Sequence, residues 1–229
     1  MTPGRRTWCA FGLAVSVIAS GAVGEGARAD EPRPPAGLVS GEPARGHALD
    51  PVFAYFKFDR LRCQFSEAKH VALLARPLRS SGTIYFDRTR GIARITLAPN
   101  HQEAVLTATM LRLRTGDRVE QIPLDKTKDL RAFALIFPTL LGGDRGELER
   151  SFELGLYGTD RGWWALALTP RAESLRALVR RVVVIGRAAE LVSLQIAEAS
   201  GDTTDTQLTA VVRNAGVPDA EIATAFGAP

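Results

Sequence analysis

The sequence is poor in the residues that carry most protein chemistry. Two cysteines, Cys9 and Cys63, and three histidines, His47, His70 and His101, are spread over 229 residues. Cys9 falls in an apolar leader, so Cys63 stands alone and no internal disulfide is possible. Leu61, Cys63 and Phe65 alternate with Arg62 and Gln64, which makes Cys63 a small core residue rather than a nucleophile. No histidine has a second ligand at metal-binding spacing. His101-Gln102-Glu103 matches half of a zinc deaminase signature, but the Pro-Cys-x-x-Cys half that would hold the metal is missing. Glu67 and His70 lie three apart on a stretch that reads as a strand, which sends them to opposite faces.

Nucleophile and phosphate motifs are missing as well. There is no Gly-x-Ser-x-Gly elbow. Gly142-Gly143-Asp144-Arg145-Gly146 lacks the Gly-Lys-Ser/Thr end of a phosphate cradle and reads as a helix stop. Asp202 and Asp205 sit in or beside a turn with no apolar pocket to raise a carboxyl pKa. No enzyme chemistry, metal or cofactor is therefore expected.

Clustered charge of one sign is the third absence. The chain has 29 Lys+Arg and 25 Asp+Glu, a net charge of +4, and losing Arg5, Arg6, Arg28 and Glu25 with the leader lowers this to +2. The remaining bases are dispersed. Arg60 and Arg62, Arg112 and Arg114, and Arg180 and Arg181 lie along strands, where they form a solvated face opposite Leu61, Leu111 and Val182. No nucleic-acid partner is expected.

What is present begins with export. Arg5-Arg6, an apolar run from Trp8 to Val23 and the small-x-small site Ala27-Arg28-Ala29 make residues 1–29 a cleaved signal peptide. The run is broken by Ser16, Ser20 and Gly21 and is shorter than the roughly 20 apolar residues of a spanning helix; a retained anchor is the alternative. Residues 30–48, rich in proline and glycine, read as a flexible linker. Residues 49–229 read as a single domain.

That domain opens with an apolar helix at Asp50-Pro51, with Val52, Phe53 and Phe56 on one side. A period of two follows, predicting strands over 60–74, 82–88, 92–98, 104–114, 118–122, 152–157, 163–169, 178–185, 191–198 and 203–211. A helical stretch carrying Leu130, Phe133, Phe137, Leu140 and Leu141 interrupts them and stops at Gly142-Gly143. Pro138 bends or restarts it. Shorter helical turns are expected over 170–176 and 219–226. The fold class is mainly β with α: a half-open curved antiparallel barrel of about ten strands, with helices covering its concave face. Hydrophobic residues make up 45% of the chain, which gives such a face more apolar surface than two short helices easily cover. A lipid-holding cavity and a filled core are equally compatible with this composition.

Several weak motifs in order then resemble the periplasmic outer-membrane lipoprotein carrier (LolA-like) family, in its divergent branch. Phe65-Ser66-Glu67-Ala68-Lys69, Leu74-Ala75-Arg76-Pro77-Leu78 and Ser81-Gly82-Thr83-Ile84-Tyr85-Phe86 are similar to its first long strand and return. Arg94-Ile95-Thr96-Leu97-Ala98-Pro99 resembles its strand ending in proline, and Leu140-Leu141-Gly142-Gly143-Asp144 the end of its lid helix. Trp164 to Pro170 and Glu198 to Thr204 resemble a later strand and turn. The usual Arg-Pro pair reads Arg88-Thr89, and the tryptophans common in the family's next strand are absent.

The resemblance implies a carrier that binds acyl chains of a lipidated protein or other lipid-like cargo. It would work as a monomer in the periplasm of a Gram-negative bacterium, between an inner-membrane exporter and an outer-membrane acceptor. Phe53, Phe56, Phe65, Phe86, Leu97, Leu113, Phe133 and Phe137 are the expected cavity and lid residues. Arg88 is the position implied to latch the lid through its backbone. The rival expectation is a periplasmic scaffold with a filled core and no ligand.

Overall fold

In a computed structural model, residues 34–125, 131, 134–158 and 162–227 are described. The leader expected over residues 1–29 lies outside them. Eleven strands are found among the described residues: β1 (Arg60–His70), β2 (Leu78–Asp87), β3 (Gly91–Ala98), β4 (Gln102–Leu106), β5 (Met110–Thr115), β6 (Arg118–Pro123), β7 (Phe152–Gly158), β8 (Trp163–Pro170), β9 (Val179–Arg187), β10 (Glu190–Glu198) and β11 (Thr203–Arg213). They form one antiparallel sheet in the order β6-β5-β4-β3-β2-β1-β11-β10-β9-β8-β7. The single strand expected over 104–114 is two strands. Thr107 Oγ1 accepts the Met110 amide at 3.1 Å and so closes a turn between β4 and β5.

Two meanders, β1 to β6 and β7 to β11, meet where β1 pairs with β11, for example Phe65 with Leu208. The edge strands are therefore β6 and β7. The segment joining them has to pass from one edge of the curved sheet to the other. Among the described residues it carries the short helices α2 (Ile136–Leu141) and α3 (Arg145–Ser151), and the apolar side of α2 packs into the core of the concave face. Helix α1 (Asp50–Tyr55) enters the same face ahead of β1. Asp50 does not cap it, and its carboxylate instead pairs with Arg145 of α3.

Phe53, Phe56 and Phe58 fill much of the concave face. Phe56 meets the Trp164 ring edge-on, with centroids 5.7 Å apart and planes at 87°. Gly186 on β9 makes room for that indole, since a Cβ there would lie 2.1 Å from Trp164 Cζ2. Burying each such side chain contributes about 1.5–3 kcal/mol.

The convex face is covered at both ends. Helices α4 (Glu173–Arg176), whose Leu175 packs into the concave core, and α5 (Asp219–Phe226) lie where helical turns were expected. Ile222 and Phe226 of α5 pack on Ala93 and Val105, and Arg62 bonds Glu221 at 2.9 Å. Leu38, in the segment expected as a flexible linker, packs instead on Trp163, Ala165 and Ile185. Ala44 also bridges to Leu156. The reason is that β8 and β9 are apolar on both faces, so a second cover is needed.

Candidate functional site

Beneath α2 the concave face is not fully filled. A cavity of about 80 Å³ lies between Phe137, Leu140 and Leu141 of α2 and the sheet residues Cys63, Ile84 and Ile92. Cys63 reaches it from β1, and burial pushes its thiol pKa up to about 12, so it is inert as a nucleophile. The cavity walls are mainly apolar side chains.

Two donors hold the C-terminal end of α2. The Phe58 amide donates to Leu141 O at 3.1 Å, and Arg88 Nη1 donates to Gly142 O at 2.9 Å. Gly143 follows with φ +75°, and a Cβ there would come within 2.8 Å of Phe56 O. Only glycine ends the helix this closely against the chain that enters β1. Arg88 is itself positioned on both sides. Its Nε donates to Asp59 Oδ1 at 3.0 Å, and its amide donates to Asp59 O at 2.9 Å.

The preceding Asp87 sets the turn that presents Arg88. Its Oδ1 accepts from Thr89 Oγ1 at 2.6 Å, from the Thr89 amide at 2.9 Å and from the Arg90 amide at 3.1 Å. Burial alone would raise the Asp87 carboxyl, but these bonds and one from Arg60 hold it below the ordinary carboxylate value.

A charged pair faces the other part of the cavity. Glu67 of β1 is 4% exposed and meets Arg94 of β3 through two bonds, at 2.8 and 2.9 Å. The Arg94 guanidinium stacks on the Phe65 ring, 4.1 Å from its centroid. Thr206 Oγ1 and Ser80 Oγ also donate to Glu67, at 3.0 and 3.3 Å. Both charged residues line the cavity.

Residues 55–228 match the family described as outer membrane lipoprotein carrier protein LolA-like. The chain belongs to that family. No curated protein matches this LolA-like sequence. Among solved structures it is similar to a LolA superfamily protein from Nitrosomonas europaea, at 10% identity, covering 77% of this chain and 97% of that one with a TM-score of 0.41. A putative outer membrane lipoprotein-sorting protein domain from Vibrio parahaemolyticus matches at 8% identity, over 77% and 96% of the two chains, with a TM-score of 0.39. MucB, in its complex with MucA from Pseudomonas aeruginosa, matches at 14% identity and a TM-score of 0.43, over 76% of this chain and 58% of that one.

The residues expected to line the cavity of this LolA-like chain divide into several groups. Phe137 lines it. Phe53, Phe56 and Phe86 are buried in the packed core of the concave face rather than on the cavity wall. Phe65 is buried beneath Arg94. Leu113 sits in a separate cluster with Leu106, Leu111 and Leu124, and Phe133 lies outside the described residues. Leu97 is a correction: it is 61% exposed. On β3 the inward positions are Ile92, Arg94 and Thr96, so Leu97 points away from the cavity. Glu67 and Arg94 were missed as site residues. A usable signal was parity, because Glu67 lies two residues beyond Phe65 and four beyond Cys63 on one strand.

Among the described residues no helix is long and apolar enough to cross a membrane.

Proposed function

We propose that this LolA-like protein is a periplasmic carrier that shields acyl chains of lipidated proteins or other lipid-like cargo. The transfer involves no covalent change. Cargo arrives from an inner-membrane exporter, enters the concave face as α2 swings away, and leaves to an outer-membrane acceptor. The leader read over residues 1–29 supports export. The observation that carries the reading is a small apolar cavity under a helix whose end is held by the half-exposed Arg88. Each methylene buried there contributes about 0.8 kcal/mol, so a chain of ordinary length supplies ample energy to displace one helix of six residues.

Several members of the site have a direct part in this cycle. Phe137, Leu140 and Leu141 move with the lid and meet cargo on their inner side. Cys63, Ile84 and Ile92 form the fixed floor. Arg88 favours the closed state when the cavity holds no cargo, and releasing its bond to Gly142 opens the lid.

A second reading, a scaffold with no ligand, draws on the packing of Phe53, Phe56 and Phe58 into the concave face. Native mass spectrometry of protein isolated from the periplasm separates the two. The carrier retains a lipid or a lipidated protein. A ligand-free chain in a stable complex with non-lipidated protein overturns the carrier reading.

A further inference from the structure

Shielding hydrocarbon does not account for the polar end of the cavity. An alkyl chain offers nothing to Glu67 and Arg94, yet both line the same space as Ile84 and Leu140. Their hydrogen bonds limit what else they can take. The Glu67 carboxylate accepts two bonds from Arg94 and one each from Thr206 and Ser80, which fills its roughly four acceptor sites. Arg94 spends three of its five N–H groups, two on Glu67 and one on Ser80 Oγ at 3.2 Å. Among the described residues its Nε–H and one Nη1–H have no acceptor. Ser193, 1% exposed, also lines the cavity, and its Oγ has no partner.

The free groups here are therefore donors beside a charge-neutral pair. An entering carboxylate would meet Glu67 as closely as Arg94 and would lose its water in an apolar space. An ester or amide carbonyl accepts the same N–H groups with no charge to bury. Stacking on Phe65 holds the guanidinium plane in place. We infer that this end of the cavity is a carbonyl-binding subsite, which takes the ester or amide head of an acyl chain and discriminates against a free carboxylate. The inference rests on the carrier reading and adds to it the chemistry of the cargo's head.

The test uses the exported protein loaded with Nile red, displaced at pH 8 by monopalmitoylglycerol or by palmitate, two ligands with one chain length. Monopalmitoylglycerol is expected to reach half-displacement at a concentration about tenfold lower than palmitate. Glu67→Gln leaves Arg94 uncompensated, so palmitate improves about tenfold while monopalmitoylglycerol changes less than about threefold. The double variant Glu67→Gln/Arg94→Gln is neutral but lacks the guanidinium, so monopalmitoylglycerol is expected to weaken about tenfold while palmitate does not improve, and it serves if the single variant does not fold by circular dichroism. Equal displacement by the two ligands, or an unchanged ratio in Glu67→Gln, overturns the subsite and leaves the carrier reading standing. Failure of both ligands to displace the probe overturns both.

Discussion

Arg88 and Gly142 are 54 residues apart in sequence, and a 2.9 Å hydrogen bond from the arginine Nη1 to the glycine carbonyl joins them at the end of α2. Arg88 leaves the β2 end of the sheet, whereas Gly142 closes the helix over the cavity. One half-exposed side chain thus ties the end of α2 to the turn after β2.

Replacing that arginine tests the coupling. Arg88→Leu removes the bonds to Gly142 and Asp59 and is expected to cost about 1 kcal/mol or less of global stability, since the pair is exposed. Lid opening is expected to rise more visibly. In the exported protein, the rate at which Cys63 reacts with an aromatic disulfide should increase about tenfold, because the buried thiol gains access to water. An unchanged rate would remove Arg88 from the closing of the lid.

The turn that presents Arg88 carries a pH dependence. The Asp87 carboxyl lies below its ordinary value, so its stabilisation is fully present above the unfolded-state pKa of about 3.9 and is lost as pH falls through the folded-state value. Asp87→Asn is expected to be less stable at neutral pH and to show a flatter stability profile below about pH 4. Urea midpoints between pH 3 and 7 measure both differences. Parallel profiles for the two proteins would show that Asp87 contributes no such term.

The buried pair behaves differently when one partner is lost. Glu67→Leu leaves the Arg94 guanidinium, 13% exposed, without its carboxylate and is expected to cost on the order of 3 kcal/mol. Glu67→Leu/Arg94→Met should recover much of that loss, because no charge remains buried. Equilibrium unfolding of the wild type, Glu67→Leu, Arg94→Met and the double variant gives the coupling directly. Additive losses would mean that the two residues do not act as a pair.

Much of the fold was legible in the sequence because hairpin turns, strand alternation and helix stops agreed with one another. The stop at Gly142-Gly143 and the turn at Ser200-Gly201-Asp202 appear where they were read. The phase of individual strands was harder. Around β3, hydrophobicity does not tell inside from outside: Ile92 packs on the concave side while Ala93 and Ile95 pack against α5 on the convex side. Leu97 was assigned inward for this reason. Arg94 was passed over because arginines on strands were expected to face solvent, whereas this one is neutralised by a glutamate two strands away in the sheet. No local pattern displays that pairing.

Packing around the tryptophan gives a further check. Gly186→Ala would place a methyl against Trp164 and force the indole from the Phe56 contact and from its 2.9 Å bond to Ala188 O. The expected loss is about 1–3 kcal/mol, accompanied by a red shift of tryptophan emission. Wild-type stability and emission would show that the site has slack.

The account is tested most directly by asking where an acyl chain sits. A palmitoyl chain carrying a diazirine near its end, attached through an ester, is incubated with the exported protein, irradiated, and its adducts are mapped by mass spectrometry. Adducts are expected on Cys63, Ile84, Ile92, Phe137 or Leu140, and unlabelled chain should compete them away. Adducts confined to the convex face or the exposed Leu73 and Leu97, or the absence of competable labelling, would refute acyl-chain binding beneath α2.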